Sequence, residues 1–285
     1  MHKLMQTFRC ARAEYVHWLT DSRMAIVFVL LLFNDTLAVR PLLERAGEMQ
    51  ERITWLEPFI AVGNSGTILL ILPIVFFILI SDFPRAHGNA LFYIHRIGRE
   101  NWLVAQLIAL AMMILTYLLV VACGAVLPVI GQSNFDSDWS LVVTDYSRRF
   151  PEKAYSYELL PENLYHQMKD ALTAAIYTYS LVALYLFLLG VLLLCGTLLQ
   201  NRKVSNGIVG FLIASGAALC SIQSDIMWVF PMAQSITWLH FTKFYRKPVF
   251  PIWISYLYFS VLILVLIGTA FYAIRRFPFD TQQDE

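Results

Sequence analysis

The chain has 285 residues, of which 58% are hydrophobic and only 14% are charged, and its mean hydropathy is +0.61. A soluble core of this size does not need so much apolar sequence, so the composition predicts an integral membrane protein. The formal net charge of +1 argues against a nucleic-acid partner, which would require a basic surface. The four cysteines show no metal-ligand spacing, and we interpret them as small apolar packing residues.

Residues 1–20 have the pattern of an amphipathic helix. Charged and polar residues occupy most sides of this helix, and aromatic residues lie near the end that leads into the first apolar stretch. This pattern favours a helix in the membrane interface, and packing against a neighbouring soluble domain is the alternative. The apolar face consists of Leu4, Phe8, Ala11, Tyr15, Trp18 and Leu19.

Six apolar stretches follow, and about 20 apolar residues are enough to cross the hydrocarbon core of a bilayer. We expect the first span to be short and to end near Asp35, which we interpret as an interfacial carboxylate, with a functional group inside the span as the alternative. A charged outer connection is predicted at 44–57. The six predicted spans cover residues 24–39, 58–80, 102–130, 171–199, 206–224 and 252–274.

These stretches predict an all-α integral membrane fold with six transmembrane helices in a single transmembrane domain, residues 1–285. Residues 131–170 form a long polar segment on the outer side. Residues 225–250 mix apolar residues with a proline break, which predicts half-inserted or interfacial helices before the last span. Basic residues close to span ends place both termini inside the cell, in the plasma membrane: Arg23, Arg99, Arg202, Lys203, Arg275 and Arg276.

The polar segment at 81–100 connects the second and third spans. Pro84 ends the preceding helix, because a proline disfavours the helical conformation of the residue before it. Asn89 can cap a short helix at 90–97 that has an apolar and a basic side, and Gly98 stops it. A short helix held between two membrane spans is suited to being bound by another protein.

Motifs for catalysis are sparse. The chain carries no phosphate-loop motif, so we expect it not to bind ATP in that way by itself. Asp136 and Asp138 have the spacing with which some sugar-transferring enzymes hold a divalent metal ion. The pattern is common by chance, and a solvated acidic loop is the favoured interpretation.

Nearly the whole chain resembles the membrane subunits of ABC-2-type transporters. The resemblance rests on the interfacial N-terminal helix, the six spans, the partly inserted helices at 225–250 and, above all, the segment at 81–100, which leads through Arg99 to Trp102. In that family this cytoplasmic segment is the coupling helix, which docks into a groove on a separate ATPase subunit. The resemblance assigns ATPase contact or positioning roles to Asp82, Arg85, Gly88, Tyr93, Arg96, Arg99 and Glu100.

The resemblance implies a permease subunit that exports a peptide or amphiphilic substrate and is not itself an enzyme. It implies two copies of the ATPase subunit, which bind the ATP and Mg²⁺, and a second permease subunit that is either identical or different. The remaining partner is the lipid bilayer. One departure is the outer segment at 131–170, because the corresponding connection is usually short in the family.

Two functions of other classes remain open at this stage. One is a membrane enzyme that acts on a lipid-linked substrate, for which Asp136, Asp138 and His166 are the available polar groups at the outer surface. The other is a peptide-sensing or immunity protein, which would bind an antimicrobial peptide with its outer segments without transporting it.

Overall fold

The computed structural model describes residues 2–85, 94, 96–152, 160–241 and 249–277, and within them the chain is mainly helical. Two short strands, β1 (Ile53–Thr54) and β2 (Ser133–Asn134), pair in parallel. The α-helices are α1 (His2–Leu19), α2 (Ala25–Asn34), α3 (Arg40–Met49), α4 (Glu57–Asn64), α5 (Gly66–Ile80), α6 (Arg99–Val126), α7 (Leu141–Thr144), α8 (Tyr146–Arg149), α9 (Glu162–Gln167), α10 (Ala171–Leu198), α11 (Arg202–Ile222), α12 (Pro231–Ser235) and α13 (Ile252–Arg276).

Among the described residues, five helical stretches are long and apolar enough to cross a membrane, and the count is six if the bent pair α4–α5 is one span. The prediction of an all-α, multi-pass membrane protein is therefore confirmed. The number of spans depends on how the bent pair lies in the bilayer. The five stretches are Ser22–Met49, Arg99–Gln132, Ala171–Leu198, Arg202–Ile222 and Ile252–Arg276.

The first long helix, Ser22–Met49, runs past residue 39, where the sequence predicted the first span to end. A π-helical turn, Asp35–Val39, joins α2 to α3, so the helix runs on to Met49. The wider turn precedes Pro41, which has no N–H to donate, and therefore lets the helix continue through a proline. Asp35 lies within the helix and pairs with Arg40 at 2.7 Å. Residues 44–49 of the predicted outer connection at 44–57 are helical, and the position of this connection outside the membrane stays a prediction.

The second predicted span is not one straight helix. Helix α4 and residues Leu69–Ile80 of α5 differ in direction by 78°. The break lies at Ser65, whose backbone is extended. Gly63 allows a close approach to α10, because a Cβ atom at this position would lie 2.5 Å from Cγ2 of Thr178. The break therefore comes directly after a close approach of α4 to α10.

Helix α10 is the centre of the bundle and packs against α4, α6, α11 and α13. Most of its side chains are buried, including Tyr185. Gly190 admits a side chain of α6, since a Cβ atom here would lie 2.5 Å from Cδ1 of Leu110. A small residue at such a crossing lets two membrane helices pack closely.

Helix α1 packs along α6, and Tyr15 shares a 2.8 Å hydrogen bond with Thr116. Of the predicted apolar face, Ala11 and Trp18 are buried, whereas Leu4 and Phe8 are exposed. The helix therefore has two apolar sides, one against α6 and one that faces outward. The position of the outward side in the membrane interface stays a prediction.

The two ends of the bundle differ in character. At the basic end, α5 and α10 finish, α6 and α11 begin, and α13 finishes with Arg275 and Arg276. The opposite end carries the β1–β2 pair, helices α7 to α9, and the short helices of residues 225–240. Those short helices are Asp225–Val229, α12 and Thr237–His240.

Candidate functional site: charged contacts at the basic end

Asp82, one residue beyond the C-cap of α5, is bound by arginines from two other helices. Arg202, the first residue of α11, donates to Asp82 Oδ1 at 2.7 Å and to the Ser81 carbonyl oxygen at 2.9 Å. Arg23, near the start of the first long helix, pairs with Asp82 Oδ2 and donates to Ser81 Oγ at 3.0 Å. We call these four residues the Asp82 junction. It joins α5, α11 and the first long helix through one carboxylate.

Arg85 lies three residues further along and binds the end of α1. Its guanidinium pairs with Asp21 and contacts Nδ1 of His17 at 2.8 Å. The side chains of Arg85 and Asp21 are only 17% and 14% exposed, so water screens this pair less than a surface pair. The backbone N–H of Arg23 and the Arg85 guanidinium together lower the pKa of Asp21. This carboxylate also caps the first long helix, since it accepts from that N–H at 2.9 Å.

Arg99 and Glu100 form a separate cluster with the end of α13. Arg99 donates to the Arg275 carbonyl oxygen at 2.8 Å, and the Arg275 side chain pairs with Glu100 Oε1 at 2.9 Å. A cation near the last carbonyl groups of a helix is favoured by the helix dipole. The start of α6 is thereby fixed to the last helix of the bundle.

The predicted site residues are thus placed in two groups. Asp82 and Arg85 contact the first long helix, α11 and α1, whereas Arg99 and Glu100 contact α13. Arg96 is exposed. Gly88 and Tyr93, with most of the predicted helix at 90–97, lie outside the described residues.

The end of the predicted short helix is visible. Ile94 and Ile97 are buried, as expected for its apolar side. Gly98 has a φ of +86°, a conformation that favours glycine, and its N–H bonds to the Ile94 carbonyl oxygen at 2.8 Å. The predicted stop at Gly98 is confirmed, and α6 begins directly after it.

The partners of Asp82 were missed by the sequence analysis. Arg23 and Arg202 were identified only as basic residues close to span ends, and they lie 59 and 120 positions away from Asp82. The available signal was an aspartate and several arginines at the same predicted membrane surface. That signal does not specify which charges meet.

The residues considered for a membrane enzyme form no metal site in the described parts of the chain. Asp136 and Asp138 are exposed, and the Asp138 backbone carbonyl oxygen accepts from Oγ1 of Thr54 at 2.8 Å. His166 is exposed, and its ring lies tilted beside the ring of Tyr165, with centroids 4.7 Å apart. Across the described ranges, no three His, Cys, Asp or Glu side chains are placed to hold one metal ion.

No protein-family model, curated protein or solved structure matches this chain. Its helices identify it as a multi-pass membrane protein. The two charged clusters at the basic end are the features from which a function is inferred below.

Proposed function

We propose that this chain is the membrane subunit of an ABC-2-type exporter, driven by a separate ATPase that docks on residues 81–100. The observation that carries the proposal is the Asp82 junction, in which a residue at the start of this segment is bound to two other helices. The far end of the segment is tied to α13 through Arg99 and Glu100. A force on residues 86–97 would therefore reach the first long helix, α11 and α13 through these contacts, besides α5 and α6.

The strength of these contacts suits a moving part. The side chains of Arg23, Arg202 and Asp82 are each 39% exposed. Exposed ion pairs contribute about 0–1 kcal/mol each, so the Asp82 junction can position the helices and still rearrange. Coupling between distant sites requires such an element with two accessible arrangements, whose balance a bound partner changes.

In this proposal two permease subunits pair, and each holds one ATPase copy at its basic end. ATP and Mg²⁺ bind to the ATPases, whose closure moves residues 81–100 and, through the charged contacts, the helices. A peptide or amphiphilic substrate then leaves on the opposite side of the plasma membrane. The basic end is cytoplasmic in this arrangement, in accordance with the positive-inside rule.

The test is co-purification of the full chain with an ATPase encoded beside it, followed by measurement of ATP hydrolysis. We expect a stable complex that Arg96→Glu and Arg99→Glu each weaken, because both reverse a charge in the docking segment. Arg149→Glu is the matched control, since Arg149 is exposed at the opposite end.

Normal complex formation and hydrolysis in both docking variants would contradict the assignment of residues 81–100. A chain that binds no ATPase would contradict the proposal as a whole. In that case, an activity on a lipid-linked substrate that Asp136→Ala abolishes would favour the membrane enzyme.

A further inference from the structure

His240 is buried where the short helices of residues 225–240 meet the last helix. It is 0% exposed, as is Ser255 of α13. The rings of Trp228 and Phe250 stack on each other, and both meet the imidazole edge-on, with centroids 5.1 and 6.0 Å from it. One imidazole thus touches both the short helices and α13.

The hydrogen bonds around His240 form a chain. Nδ1 lies 2.9 Å from the Ile236 carbonyl oxygen, and Nε2 lies 2.8 Å from Ser255 Oγ. Ser255 Oγ lies 2.5 Å from Gln234 Oε1, and Gln234 Nε2 donates to the Trp228 carbonyl oxygen at 2.6 Å. The short helices are therefore attached to α13 through Ser255.

When His240 is neutral, this series of hydrogen bonds lacks one hydrogen atom. The Ile236 carbonyl only accepts, so Nδ1 carries the ring hydrogen and Nε2 is bare. Ser255 has one hydroxyl hydrogen, which cannot serve both Nε2 and Gln234 Oε1. If the amide of Gln234 is turned so that its NH₂ group donates to Ser255, its oxygen faces the Trp228 carbonyl oxygen. Two acceptors then meet at that position without a hydrogen between them. The neutral arrangement is therefore held less tightly than the number of contacts suggests.

Burial opposes protonation of His240 while the short helices are packed against α13. Burial lowers the pKa of His240 to about 4, although hydrogen bonds with the backbone of Ile236 and Thr237 act in the opposite direction. The hydrogen that a second ring proton would supply does not offset the loss of water around the cation. The causes of this shift are burial and the backbone contacts. The titratable side chains on the neighbouring elements are Glu162, His166, Tyr177, Tyr179, Asp225, Tyr256 and Tyr258.

We propose that His240 is an acid-sensitive attachment point, and that protonation releases the short helices of residues 225–240 from α13. An imidazole in water has a pKa of about 6.5. The released arrangement therefore binds a proton at a higher pH than the packed one. The packed arrangement is favoured at neutral pH and is progressively lost as the pH falls below about 6.5. This inference does not depend on the proposed function.

The test is hydrogen–deuterium exchange of the full chain in lipid nanodiscs, followed in peptides from residues 225–241 and corrected for the intrinsic effect of pH. From the two pKa values, the opening equilibrium should rise about 30-fold between pH 7.5 and pH 5.0. His240→Gln should reduce this response to less than about 3-fold, because glutamine does not titrate. His166→Gln, at an exposed histidine, should leave the response unchanged.

An unchanged response in His240→Gln, or no response in the unaltered chain, would overturn the proposal. If His240→Gln does not fold, the imidazole of the unaltered chain is titrated by nuclear magnetic resonance. A pKa clearly below 6.5 in the packed state supports the proposal, and a pKa of 6.5 or higher overturns it.

Discussion

At the scale of single residues, Glu57 shows how a buried carboxyl group is held by hydrogen bonds. It is the first residue of α4 and is 0% exposed. Its oxygens accept from the backbone N–H of Ser140 at 2.6 Å, from Ser140 Oγ at 2.8 Å and from the backbone N–H of Thr54 at 3.0 Å. The start of a helix also favours a negative charge. These bonds attach α4 to the segment after β2.

Glu57→Gln should destabilise the protein. Glutamine keeps one oxygen, which can replace only one of the two carboxylate acceptors, and its NH₂ group accepts no hydrogen bond. At least one of the buried N–H groups of Ser140 and Thr54 therefore loses its partner. Such a loss costs about 1–3 kcal/mol. The measurement is thermal unfolding in detergent, with Glu44→Gln as the control because Glu44 is exposed. Equal midpoints for the two variants would contradict the structural role of Glu57.

At the scale of secondary-structure elements, the attachment of α1 to α6 depends on small side chains. Thr7, Cys10 and Ala11 are buried and allow a close approach. Burial raises the pKa of the Cys10 thiol to about 11, with a smaller contribution from the charge of Glu14. Because the thiolate is the reactive form, a docked α1 should protect Cys10 from alkylation.

In a variant whose other three cysteines are serines, we expect Cys10 to react with a maleimide slowly at pH 7.5. The pKa shift alone lowers the thiolate fraction about 100-fold. Ala11→Leu should increase the rate, because a larger side chain at the buried position separates α1 from α6. Ala13→Leu is the control at an exposed position of the same helix. Equal rates in the two variants would show that α1 is not held at Ala11.

At the scale of the whole molecule, long apolar runs were enough to predict the membrane class and helices α6, α10, α11 and α13. Hydropathy does not specify the bend near Ser65, because Gly63 and its contact with Thr178 bring together residues more than 100 positions apart. The continuation of the first helix past Asp35 was missed for a local reason, since the Asp35–Arg40 pair lets charged residues stay helical. The residue types of the candidate site were predictable, but the pairing of Asp82 with Arg23 and Arg202 was not.

The central claim is that the Asp82 junction transmits the action of an ATPase to the helices. It is tested most directly by the rate of substrate-stimulated ATP hydrolysis in the co-purified complex, measured for Asp82→Asn, Arg202→Gln and the double variant. We expect each single variant to retain the complex but to lose several-fold in stimulated rate. The stimulated rate of the double variant should be little lower than that of either single variant, because the effects of substituting two residues in contact are not additive. Unchanged stimulation in Asp82→Asn, or fully additive losses, would contradict the account.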